Sequence, residues 1–76
     1  MKIKVILAGP LSKYGNGSRH QDAVVEDTWR LIDLLMALGI PEDKYSFVVI
    51  NGKKSSENAT LEEGDEVIIY PMVSGG

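Results

Sequence analysis

The sequence predicts an α+β domain: a mixed sheet of four or five strands with one main helix packed on one face. Three observations carry that expectation. Apolar and polar residues alternate near both ends of the chain, in Lys2 to Ala8 and in Glu66 to Tyr70, with the period of half-buried strands. Leu31, Leu34, Leu35 and Leu38 recur at helical spacing and form one apolar stripe. Asn51-Gly52, the strongest short hairpin signal, joins the apolar, β-branched run Tyr45 to Ile50 to Lys53-Lys54-Ser55. A single helix can cover only one face of a sheet, so the opposite face is expected to stand open.

In the first strand Ile3, Val5 and Leu7 point one way and Lys2, Lys4 and Ile6 the other. Gly9-Pro10 ends it. Leu11 to Tyr14 is expected to form one helical turn with Pro10 at its start, followed by the turn residues Gly15-Asn16-Gly17-Ser18. His20 to Glu26 reads as a second strand with Ala23 and Val25 inward, returning beside the first as a hairpin. The helix is expected over Thr28 to Leu38, with Asp27 or Thr28 as its cap and no acid placed to complete a capping box. Ile32 lies at the margin of its stripe, and Trp29 reads as a lid over the core. Gly39-Ile40-Pro41 supplies a left-handed glycine, a hydrophobic partner and a stop. Tyr45 to Ile50 reads as a strand packed on both faces, and Ser56 to Thr60 as a polar loop. Leu61 to Asp65 reads as a turn in which Gly64 takes positive φ. In the last strand Val67 and Ile69 face the core. The first and last strands are expected side by side and parallel, because a helix-containing crossover separates them. That arrangement is the β-grasp, the fold of ubiquitin.

Seventy-six residues make one domain, of a size that buries about 60% of its unfolded surface. Residues 1–70 are expected to form it, with residues 71–76 as a flexible Gly-Gly tail. The net charge of −3 comes from interleaved acids and bases, which argues against nucleic acid and against anionic membranes as partners. The sequence has no cysteine, which removes disulfides and thiolate metal sites. No apolar run reaches the length of a signal or spanning segment, so a soluble, cytoplasmic protein is expected. Asn16-Gly17-Ser18 and Asn58-Ala59-Thr60 match glycosylation sequons and are read as loop residues.

Candidate chemistry within the domain is sparse. His20 has no second histidine or cysteine beside it and is read as a hairpin residue. Glu62, Glu63, Asp65 and Glu66 are read as a solvated acidic turn, with contact to a basic partner or weak divalent-ion binding left open. Gly15-Asn16-Gly17 lacks the Gly-Lys-Ser/Thr of a phosphate loop. No nucleophile, base and oxyanion set assembles, so the chain is not expected to be an enzyme by itself, and no metal site or bound cofactor is expected. The open sheet face says more. With Val67 and Ile69 inside, Ile68 and Tyr70 lie outside, beside Ile6. This apolar patch would lead directly to Met72 and Val73, and contiguous exposed apolar surface marks protein interfaces. The final residues, Pro71-Met72-Val73-Ser74-Gly75-Gly76, can reach about 20 Å when extended. Gly75 and Gly76 lack Cβ and fit a narrow channel that excludes other residues.

Taken together, Asn51-Gly52-Lys53, the spacing Leu61-x-x-Gly64-Asp65-x-Val67 and the ending Tyr70-Pro71-Met72-Val73-Ser74-Gly75-Gly76 resemble the MoaD/ThiS family. These are the sulfur carriers of molybdopterin and thiamine biosynthesis. The opening strand running into Leu11-Ser12-Lys13-Tyr14-Gly15 is more similar to the molybdopterin-synthase small subunit. The chain departs from that pattern at Met72, where the family has a second proline, and at Ser12-Lys13, where it has arginine-glutamate. The resemblance implies a carrier whose Gly76 carboxylate accepts AMP and then sulfur. A ubiquitin-activating-type adenylating enzyme would supply ATP and magnesium. The molybdopterin synthase large subunit or another acceptor would receive the sulfur. A thiamine-pathway carrier, an archaeal-type modifier attached to lysines and a passive ubiquitin-like interaction module are the alternatives.

Overall fold

The computed structural model describes residues 1–73. At its centre β1 (Lys2–Leu7) and β5 (Glu66–Pro71) run parallel, with Val5 opposite Val67 and Leu7 opposite Ile69. β2 (His20–Val24) returns antiparallel along the other side of β1. β3 (Tyr45–Ile50) lies antiparallel to β5, and the short β4 (Lys53–Ser55) closes that side, giving the order β2-β1-β5-β3-β4. The parallel pair needs a crossover, and α1 (Leu31–Leu38) supplies it from one face. Ile3, Val5, Leu7, Val67 and Ile69 are fully buried beneath Leu31, Leu34 and Leu35. This is the expected β-grasp.

The hairpin and turn glycines behave as read. Asn51 and Gly52 take φ of 50° and 82°, and Gly64 takes 83°. Gly39, at φ 78°, ends α1 with its N–H on the Met36 carbonyl, while the Ile40 N–H reaches back to Leu35 and the Ile40 side chain is buried. Gly9-Pro10 begins a 3-10 turn over Gly9–Lys13.

Other details differ from expectation. The helix starts at Leu31 rather than Thr28 because the loop before β5 captures its first turn. Leu31 N–H donates to Ala59 O and Ile32 N–H to Glu57 O, each at 2.9 Å, and Arg30 bridges to Thr60. With the cap at Arg30, the Asp33 carboxylate is placed to accept the Arg30 N–H at 2.9 Å. A capping acid is therefore present, three residues after a cap that the sequence pattern did not point to. In β2 the first inward position holds Gln21, not an apolar residue. Its amide donates to Ser18 O at 2.7 Å and Tyr14 O at 3.2 Å and accepts from Asn16 N–H at 3.1 Å, which satisfies it where it is buried. A side chain at Gly15 would run into Gln21. Trp29 packs half-buried over the core as read.

β3 is packed on one face only. An irregularity between Tyr45 and Phe47 lets Tyr45 and Val48 both point inward although they are three positions apart. The continuous apolar run concealed this shift of phase. Asp65, read as part of a solvated cluster, is buried: its carboxylate accepts from Asn51 Nδ2 and from Glu62 N–H, each at 2.8 Å. Asn51 Oδ1 in turn accepts the Glu66 N–H at 2.9 Å. β5 also runs one residue farther than expected, through Pro71, since the outgoing chain still bonds to the start of β3.

Tyr45 is the one buried phenol, and its hydroxyl donates to the Glu57 carboxylate. Burial, then the Glu57 hydrogen bond and the charges of Glu57 and Glu42, push its pKa from 10.0 up to about 12. The folded state therefore holds its proton more tightly than the unfolded state. Stability should be constant through this group below about pH 10 and should fall as pH rises towards 12, by an amount on the order of 2 kcal/mol. Urea unfolding across that range should show the decline in the native protein and its absence in Tyr45→Phe.

Candidate partner-docking face

The open face is built from residues that pair directly across strands and so share one side of the sheet. His20, Ile6, Ile68, Val49 and Lys54 form one row from β2 to β4. A second row pairs Tyr70 with Phe47, and a third places Asp22, Lys4 and Glu66 side by side. Ile6, Ile68 and Tyr70 are half-buried, as expected for apolar residues flanked by one another with no helix above them. Met72 and Val73 are exposed, at 53% and 82%. The structure thus brings Ile6, Ile68 and Tyr70 together and leads the chain from them into Met72 and Val73. Gly75 and Gly76 lie outside the described residues.

Phe47, Val49 and Lys54 complete the face and were not anticipated. The Phe47 and Tyr70 rings stack with centroids 4.7 Å apart at 17°, and Lys54 Nζ stands 5.3 Å from the Phe47 centroid. Their signal was available in the tight Asn51-Gly52 turn, which sets which β4 residue faces which β3 residue. The irregularity before Phe47 was not.

The start of the tail is held. Ser46 Oγ donates to Pro71 O at 3.1 Å, and Met72 N–H donates to Lys44 O at 2.9 Å. Pro71, with no N–H of its own, sits between these contacts where no donor is required. On the far side Ala8 N–H bonds to Ile69 O at 3.0 Å, and the 3-10 turn packs against β5. The chain leaves the sheet from a fixed point.

The remaining polar residues do not converge on a reaction. His20 stands at the margin of the open face. Glu63 accepts the Lys2 N–H at 2.6 Å, and Asp65 is committed to the fold. Among the described residues no three His, Cys, Asp or Glu side chains come together as metal ligands. No helix among them is long and apolar enough to cross a membrane.

Fold and face together define a ubiquitin-like β-grasp protein. The chain belongs to the Mut7-C ubiquitin family, whose sequence model matches residues 2–75. No curated protein matches the sequence. Among solved structures, SAMP1 from Haloferax volcanii superposes with a TM-score of 0.76 at 22% identity over 100% of both chains. The putative molybdopterin converting factor subunit 1 from Pyrococcus furiosus gives 0.73 at 20% identity, covering 96% of this chain and 99% of that one. A chain of the complex of subunits 1 and 2 of molybdopterin-converting factor from Helicobacter pylori gives 0.65 at 20% identity over 100% of both chains. At these identities the likeness is one of fold, and it bears out the resemblance to the MoaD/ThiS carriers at that level.

An open face tolerates what the core does not. Leu35→Ala empties a fully buried site and should cost about 2–5 kcal/mol. Phe47→Ala, at a ring that is already 38% exposed, should cost less than Leu35→Ala. Urea unfolding of the two variants side by side should show this order, and an equal cost would mean the face is not open.

Proposed function

We propose that this protein is a ubiquitin-like sulfur carrier, itself without catalytic activity, that donates sulfur in molybdopterin biosynthesis from a thiocarboxylate on Gly76. The observation that carries the reading is the apolar open face ending at the anchored root of a chain that closes on Gly75-Gly76. Docking of Ile6, Ile68, Tyr70, Met72 and Val73 on an adenylating enzyme would present the tail to bound ATP and magnesium. The Gly76 carboxylate attacks the α-phosphorus of ATP and pyrophosphate leaves. The terminal sulfur of an enzyme persulfide then attacks the acyl carbon and expels AMP, and a thiol cleaves the resulting acyl disulfide to leave the thiocarboxylate. A second enzyme, the counterpart of subunit 2 in the Helicobacter pylori complex, would accept that sulfur. Its docking on the same face would fit the similarity to subunit 1. The small modifier SAMP1 shares the fold, and attachment to a lysine amine would use the same activated carboxylate.

Intact mass after incubation with ATP, an adenylating enzyme and a sulfur donor tests the reading. The 76-residue chain should gain the mass of one oxygen replaced by sulfur. Removing Gly76 shortens the reach by roughly 3.5 Å, and a displacement of about 1 Å already costs on the order of a hundredfold in a positioned reaction. That variant and Gly75→Val should not load, while circular dichroism and melting stay unchanged. Normal loading of both would remove Gly75 and Gly76 from the reacting end. No loading of any of the three proteins by a verified cognate enzyme would end the carrier reading, and adducts on lysines in place of thiocarboxylate would favour the modifier.

Docking has its own check. Tyr70→Asp puts a charge into the centre of the face and should weaken binding to the adenylating enzyme by about 2 kcal/mol or more without unfolding the domain. Unchanged affinity would remove Tyr70 from the interface.

A further inference from the structure

On the opposite side of the sheet, a groove of about 210 Å³ opens between the second half of α1 and the start of β3. Ile32, Leu35, Met36 and Ile40 form its apolar wall, and Glu42, Glu57 and the Tyr45 ring complete it. Met36 is 72% exposed at its rim, next to Leu35, which is only 1% exposed. An exposed methionine alone means little, since isolated surface hydrophobes are ordinary. Its position beside two carboxylates is informative. Among the described residues, the ion pairs are Met1 with Asp27 and Lys2 with Asp22, so neither Glu42 nor Glu57 has a cation within 4.0 Å. Glu57 accepts one hydrogen bond, from Tyr45, and Glu42 accepts none from a side chain. Burial first, then the Glu57 hydrogen bond and the charges of Glu57 and Glu42, hold the proton on the Tyr45 phenol, so both carboxylates lie close enough to the groove wall to act on it.

The volume limits the occupant. Sites for small molecules run to about 300–1,000 Å³, and this groove is smaller. It matches one long side chain. Arginine and lysine lay an aliphatic stem along apolar surface while their charged head seeks carboxylates. We infer that the helical face carries a second docking site, in which a partner protein inserts one basic side chain. Its stem would lie on Leu35, Met36 and Ile40 and its head between Glu42 and Glu57. The net charge of −3 favours approach of such a partner. The site lies across the sheet from Ile6, Ile68 and Tyr70, so a partner here leaves that face clear.

The test uses the whole chain, labelled for NMR, with n-butylguanidinium as probe and n-butanol and butyrate as controls. Butylguanidinium should shift the amides of Met36, Ile40 and Tyr45 saturably, more weakly as salt is raised. Butanol and butyrate should not. Glu42→Gln with Glu57→Gln should weaken the probe about tenfold. The side-chain amide oxygen that Glu57→Gln introduces can still accept the Tyr45 hydroxyl. Glu42→Gln touches no hydrogen bond of the fold, so it alone should weaken the probe even if the second substitution disturbs packing. Equal shifts with butanol, saturation elsewhere on the surface, or indifference to both substitutions would overturn the site. So would sedimentation showing that a second copy of the chain already occupies the groove.

Discussion

The parallel pairing of β1 with β5 is the constraint from which the rest follows. Two neighbouring strands that run the same way cannot be joined by a turn, so the chain between them must cross over. The crossover places α1 on one face and feeds β3 and β4 to the far side of β5. One eight-residue helix covers one face of a five-stranded sheet, and among the described residues no element covers the other. The open face is thus a product of topology before it is a product of residue choice. The same pairing sets where the chain leaves. β5 ends beside the 3-10 turn that follows β1, so the outgoing residues start from the edge of the apolar face.

The turns that look separate in sequence form one structural node. Asn51 sits in the β3–β4 turn and Asp65 in the turn before β5, yet their side chains bond each other at 2.8 Å. Asp65 also fixes the Glu62 N–H, its carbonyl accepts the Lys4 N–H at 2.8 Å, and Asn51 fixes the Glu66 N–H. Asp65, through its buried carboxylate and its backbone carbonyl, therefore ties β1, the β3–β4 hairpin and the start of β5 together. A buried charge is tolerated only when its acceptor positions are filled, and here two donors meet it. This gives the Gly64-Asp65 pair before the last strand a physical meaning: Gly64 takes the positive φ that turns the chain, and Asp65 locks the register it produces.

Much of this was legible because it rests on period and turn chemistry. The alternation in β1 and β5, the leucine stripe, Asn51-Gly52 and Gly39-Ile40-Pro41 each encode their geometry locally. What was not legible depended on long-range partners. Thr28 to Arg30 could have extended the helix, but backbone pairing with residues 57–60 drew them away. Asp65 resembled its solvated neighbours, because nothing in Glu62 to Glu66 says which acid faces inward. In Tyr45 to Ile50 every second residue is not polar, so the face could not be assigned by alternation, and the irregularity reversed the parity for Phe47. The open apolar face was legible through Ile6, Ile68 and Tyr70 but lacked Phe47, Val49 and Lys54, among them the one aromatic ring that stacks on Tyr70.

That stack bears on how a flat face could serve a tail. Phe47 and Tyr70 hold each other in place, so a partner that covers them orders little that is not already ordered, and the entropic cost of docking is small. Tyr70 is two residues before Met72, whose N–H is fixed on Lys44. From Met72 to Gly76 four residues span at most about 14 Å. On the proposed reading, a partner that grips the platform would therefore find Gly76 within that reach of Met72, without any contact to the tail itself. Confinement of this kind raises the effective concentration of the end at one location on the partner. The fixed root matters as much as the exposed apolar residues: were Pro71 and Met72 free of β3, the same face could dock equally well and deliver the terminus to no particular place.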